Sequence, residues 1–143
     1  MYLIFSMYIP VHVYDPELWP ALVNNSAGTS GAAIFGQRSG ITLKQSVLIK
    51  QNSATVSGGA IYLLDNTQAL PILLQGNVTF LGNAAQFGGA MYLRLSSAIN
   101  ISCCVNFSMN YADKDGGAIY SSGSAYISLL QTSFVENSAQ RLG

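Results

Sequence analysis

An all-β solenoid, a right-handed parallel β-helix of about four to five rungs with three short strands each, is the fold this sequence predicts. Three observations carry it. An asparagine phrase recurs at Asn25, Asn52, Asn83, Asn110 and Asn137, spaced 27, 31, 27 and 27 residues apart, the first four times ahead of a small-residue apolar run. Between successive asparagines, apolar residues alternate with period two in short runs separated by Asn, Gly and Ser. Helical spacing is sustained nowhere, and about 27 residues per unit is too short for a four-stranded propeller blade.

The elements follow in chain order. Residues 1–20 open with "MYLIFSMYIPVHVY", an apolar stretch with no basic flank, interrupted by Pro10 and His12. It reads as a divergent N-terminal coil or a misassigned start, with a degraded signal peptide as the alternative. Residues 21–143 are read as β-helix repeats and, because "NSAQRLG" stops within a coil without a polar cap, as a fragment of a longer solenoid. Within each repeat the asparagine marks a corner. Then come "GAAIF" (31–35), "GGAIY" (58–62), "GGAMY" (88–92) and "GGAIY" (116–120), whose glycines suit positive φ or close backbone approach. The second run is "ITL", "ILL", "INI" and "YISL"; the third is "VLI", "VTF", "VNF" and "TSF".

Stacked rungs lie about 4.8 Å apart, so equivalent residues form ladders along the axis. The predicted ladders are structural asparagines (Asn25, Asn52, Asn83, Asn110, Asn137), a Val47/Val78/Val105/Thr132 column, and an Ile49/Phe80/Phe107/Phe134 column. Phe35, Tyr62, Tyr92 and Tyr120 follow an inward Ile or Met, so alternation turns them outward as an aromatic ladder. It is a candidate binding face; mutual stacking, or packing under a corner loop, is the structural reading of the same residues.

The segments Phe80–Asn83, Phe107–Asn110 and Phe134–Asn137 fit F-x-x-N, and Gly58–Ile61 and Gly116–Ile119 fit G-G-A-[ILV], with Gly88–Met91 close to it. Joint occurrence at a fixed offset over residues 20–140 resembles the polymorphic outer-membrane-protein repeats of chlamydial surface proteins. That resemblance implies a right-handed β-helical passenger acting in adhesion. The first copy departs from the pattern with Leu22 and "GAA", and similar repeats occur in large predicted secreted proteins of eukaryotes.

Composition narrows the functional classes. Charged residues make up 8% and formal net charge is zero, so nucleic acid and anionic membrane surfaces are poor partners. No run reaches the ~18–20 apolar residues of a spanning helix. Asn24, Asn77, Asn100 and Asn106 begin N-x-[ST] triplets at corner or outward positions, candidate N-glycosylation sites in a eukaryotic source and unused in a bacterial one. Cys103 and Cys104 are neighbours, expected as a small buried thiol beside an exposed or turn thiol, with a vicinal disulfide as the alternative.

A search for chemistry finds little. The acidic residues are Asp15, Glu17, Asp65, Asp113, Asp115 and Glu136, and the Asp113/Asp115 pair flanks Lys114 in an expected solvated loop, with a weak Ca²⁺ site as the sharper reading. His12 has no triad partner, and no catalytic residue, metal site or cofactor is assigned. The expectation is a non-catalytic extracellular or cell-surface protein, outer-membrane-associated in a bacterium. It would act in adhesion or recognition of a cell-surface or matrix protein or glycan. A purely structural stalk and a truncated polysaccharide-acting enzyme are the alternatives.

Overall fold

The computed structural model describes residues 21–44, 46–65, 71–95 and 97–141. The first coil holds β1 (Ala21–Val23), β2 (Ser26–Ala27), β3 (Ile34–Gln37) and β4 (Ile41–Lys44). The second holds β5 (Val47–Lys50), β6 (Ser53–Ala54) and β7 (Ile61–Leu64), and runs into the long strand β8 (Ile72–Leu81). Next come β9 (Ala84–Phe87), β10 (Met91–Arg94) and β11 (Ser97–Ser108). The last coil contains β12 (Tyr111–Asp115), β13 (Ile119–Ser122), β14 (Ala125–Leu129), β15 (Thr132–Val135) and β16 (Ser138–Ala139).

Every strand pairs in parallel with its equivalent one repeat away, Ile34 on Ile61 and Val47 on Val78 for example, which makes a β-solenoid of about four turns. Three sheets wall it, ordered β13-β10-β7-β3, β16-β12-β9-β6-β2 and β1-β5-β8-β11-β14, with β4 and β15 joining the last. The second and third apolar runs share one sheet, because β8 and β11 continue through the corner between them. The third wall is instead the short strand after each asparagine, Ser-Ala in β2, β6 and β16 and longer in β9 and β12, which the sequence shows only as a corner.

The walls enclose one core column per inward station. Ile61, Leu63, Ile72, Leu74, Val78 and Phe80 of the second coil are fully shielded, as are their equivalents Met91, Leu93, Ile99, Ile101 and Phe107 one coil on. Phe80, Phe107 and Phe134 stack nearly parallel, with centroids 4.7 and 5.0 Å apart. At roughly 25 cal/mol per Å² of apolar surface removed from water, these repeated columns are the main stabilising force.

Corners rely on left-handed residues. The residue before each ladder asparagine has positive φ: Asn24 (57°), Gln51 (53°), Gly82 (61°), Met109 (54°) and Glu136 (53°). The glycines that open the apolar runs do the same, from 62° at Gly58 to 69° at Gly116. The second glycine serves close approach: a Cβ on Gly59 would run into the carbonyl oxygens of Gly89 and Ala84. The longer 31-residue interval between Asn52 and Asn83 is taken up after Asp65, and pairing resumes in register at Ile72, opposite Ile41 and Ile99.

Candidate functional site

The asparagine ladder sits at the corner between the large sheet and the short one. Asn52 donates through its backbone N and Nδ2 to Asn83 Oδ1, at 3.0 and 2.9 Å. Asn83 repeats this toward Asn110 at 3.0 and 2.9 Å, and Asn110 toward Asn137 at 3.0 and 2.8 Å. Asn25 joins from below through Asn52 Oδ1. The second Nδ2 hydrogen reaches back to a carbonyl of the preceding coil: Leu22, Ile49, Phe80 and Phe107 in turn. Asn52, Asn83 and Asn110 are wholly buried, so this network satisfies polar groups inside the wall and offers no ligand a foothold.

The aromatic ladder crosses the β3-β7-β10-β13 sheet in register, Phe35 on Tyr62 on Tyr92 on Tyr120. Centroids lie 5.2, 5.3 and 5.2 Å apart. The first two pairs are nearly coplanar, at 10° and 6°, while the last tilts to 31°. Ring faces are therefore largely occupied by neighbouring rings, and edges and hydroxyls point away from the core. Exposure is uneven: Phe35 is 56% exposed and Tyr62 only 6%, with Tyr92 and Tyr120 half-buried.

Cations flank this face. The Tyr62 phenol bonds the Arg94 guanidinium and shifts its pKa upward, first by that hydrogen bond and then electrostatically. Lys114 Nζ stands 5.0 Å from the centroid of Phe87, which itself packs 5.4 Å from Tyr120. The result is an aromatic strip edged by two positive charges, a surface suited to apolar groups, ring systems and hydroxyl-bearing ligands.

Asp113, Lys114 and Asp115 lie on strand β12 rather than in a loop. Asp113 bonds Tyr111, whose hydroxyl is held above its ordinary pKa of 10.0 by loss of solvent and then by that contact. Among the described residues no group of three His, Cys, Asp or Glu is placed to hold a metal ion. His12, Asp15 and Glu17 lie outside the described residues.

The cysteines correct the expectation of two free thiols. Cys103 and Cys104 are joined as a vicinal disulfide, with Cα atoms 3.8 Å apart. Neighbours in a regular strand point to opposite faces, but here the register shifts on both sides of Cys103 and Cys104 takes φ 58°. The corner turns both sulfurs to the same side. Of the sequon asparagines, Asn24, Asn77 and Asn100 are exposed. Asn106 is half-buried and accepts a 2.9 Å bond from Ser133 Oγ.

Comparison with known proteins agrees with the repeat. The family model of the Chlamydia polymorphic membrane protein repeat matches residues 46–63 and 105–122. Each match starts at the third apolar run, passes the ladder asparagine and ends in the strand that follows Gly-Gly-Ala, so one matched unit contributes a strand to each of the three sheets. No curated protein and no solved structure matches the chain. The chain is thus a parallel β-solenoid, two segments of which are similar to that repeat.

Proposed function

We propose that this chain is a non-catalytic repeat protein displayed outside the cell or on its surface, where it acts in adhesion or recognition. The observation that carries this is the outward aromatic strip from Phe35 to Tyr120, edged by Arg94 and Lys114, on a rigid wall. Its partner is a cell-surface or matrix protein or glycan, held by ring edges, tyrosine hydroxyls and the exposed Phe35. The match to a membrane-protein repeat supports a surface location, in the outer membrane of a bacterium. In a eukaryotic host, Asn24, Asn77 and Asn100 are the exposed glycan acceptors and Asn106 is half-buried.

Beads coated with the chain and passed over cell or matrix surfaces test this reading. Retention should exceed that of bare beads and fall with Phe35→Ser, which removes the exposed end ring of the stack, and with Tyr92→Phe/Tyr120→Phe, which removes hydroxyls while the rings stay stacked. A Tyr62/Tyr92/Tyr120→Ser variant should lose retention, with circular dichroism checking that it folds. The stacking of ring on ring favours a second reading, a structural stalk. Retention no better than bare beads by a folded chain would select it.

A further inference from the structure

The cysteine corner of β11 is held differently from the corners stacked on it. Its turn occupies Ser102, Cys103 and Cys104, between the inward Ile101 and Val105, with Cys103 opposite Gln75. One coil back the same turn is Gln75, Gly76 and Asn77, and one coil on it is Leu130 and Gln131, neither with a covalent link. All three turn through a positive φ: 114° at Gly76, 58° at Cys104 and 50° at Gln131. The stack therefore bends here whether or not two sulfurs are joined. The bond links adjacent residues and closes almost no loop, so it adds little to stability. It also stands at the surface. Cys104 is exposed and Cys103 half-buried, while Ile101 and Val105 on either side are 0 and 1% exposed. Among the described residues no carboxylate belongs to this corner, and the charge in register with it is Lys44, opposite Gln75. Nothing there repels an approaching anion.

An exposed bond that the fold does not need is open to chemistry. We infer that the Cys103–Cys104 disulfide is a thiol-exchange site, which accepts two electrons from a dithiol while the solenoid stays folded. The donor's thiolate attacks the exposed Cys104 Sγ and bonds to it. The disulfide bond breaks, and its electron pair leaves on Cys103 Sγ, which takes a proton from water. Cys103 then stands next to the mixed disulfide, and its thiolate can attack Cys104 Sγ again and expel the donor. That attack is intramolecular and outpaces the arrival of a second, separate thiol. A dithiol escapes this reversal. Its second thiolate attacks its own bridging sulfur, closes the donor's disulfide and releases Cys104 as a thiolate, which is protonated in turn. The chain gains two electrons and two protons, and the donor loses them. The corner thus answers to dithiols and keeps no lasting adduct of a single thiol.

The full chain, without denaturant, tests this by mass spectrometry. Dithiothreitol followed by iodoacetamide should alkylate both Cys103 and Cys104 while circular dichroism keeps the strand spectrum. In a buffer of reduced and oxidised glutathione the wild-type chain should carry no adduct. Cys103→Ser should carry one on Cys104, having lost the thiolate that expels it. A bond that opens only in denaturant, a strand spectrum lost on reduction, a glutathione adduct that persists on the wild-type chain, or none on folded Cys103→Ser would each overturn the inference.

Discussion

Asn83 concentrates what a single side chain does in this wall. Its Oδ1 accepts from Asn52, and its Nδ2 donates to Asn110 and to the Ile49 carbonyl, all without access to water. Truncation leaves several buried donors and acceptors unanswered, each costing about 1–3 kcal/mol. Asn83→Ala should therefore lower stability in urea titration by about 3 kcal/mol or more. Asn25→Ala, at a half-buried position, should cost about 1 kcal/mol. Gly59→Ala should prevent the wild-type coil spacing, since the added carbon meets backbone of the next coil and has no side chain to displace; loss of the folded far-ultraviolet spectrum would show it. Both positions were legible in the sequence, because a recurring short amide side chain both donates and accepts along a ladder, and Gly recurs where the backbones approach most closely, with Ala32 in its place in the first coil. The left-handed corners at Gln51, Met109, Glu136 and Leu95 were not. Those residues carry no signal for positive φ, and the stacked coil imposes it at a cost of about 1 kcal/mol or more each.

Strands are where position in the stack decides the energetics. Phe107 is enclosed between Phe80 and Phe134, whereas Phe134 is stacked on one side and 46% exposed. Phe107→Ala should cost about 3–5 kcal/mol and Phe134→Ala distinctly less, readable from denaturation midpoints. Equal costs would contradict an open C-terminal layer. The disulfide in β11 spans adjacent residues, so it closes almost no loop and contributes only about 1 kcal/mol through the unfolded chain. Reduction should shift Tm by about 3 °C. Neighbouring coils turn the same corner at Gly76 and Gln131 without a covalent link. Period-two alternation gave the strands and their ladders correctly. It could not give their assignment to sheets, which depends on how sharply each corner bends: β8 and β11 bend at Gly76 and at the cysteines yet stay in one sheet on both sides of the corner. The cysteine pairing was hidden for the same reason, since regular alternation separates two sulfurs that the bent corner brings together.

The whole molecule is nearly without field. With 8% charged residues and zero net charge, it has no long-range electrostatic means of attracting a partner. Retention of coated beads should accordingly change little between low and high salt; a steep loss with salt would show that the charges beside the aromatic strip, not its rings, hold the partner. The sequence displayed the fold because its information is repeated. The ligand was not legible because one copy of a face, unlike five copies of a corner, has nothing within the chain to be compared with.

The interval between Asp65 and Ile72 has a consequence of another kind. The chain departs from its period there and returns to register opposite Ile99 with every ladder continuous. Lengthening such an excursion adds only a slowly growing entropic cost, about 0.6 kcal/mol per doubling. This interval is thus a natural splice point, where lineages can vary its length, or an engineer can graft a foreign epitope, while the framework behind it stays constant.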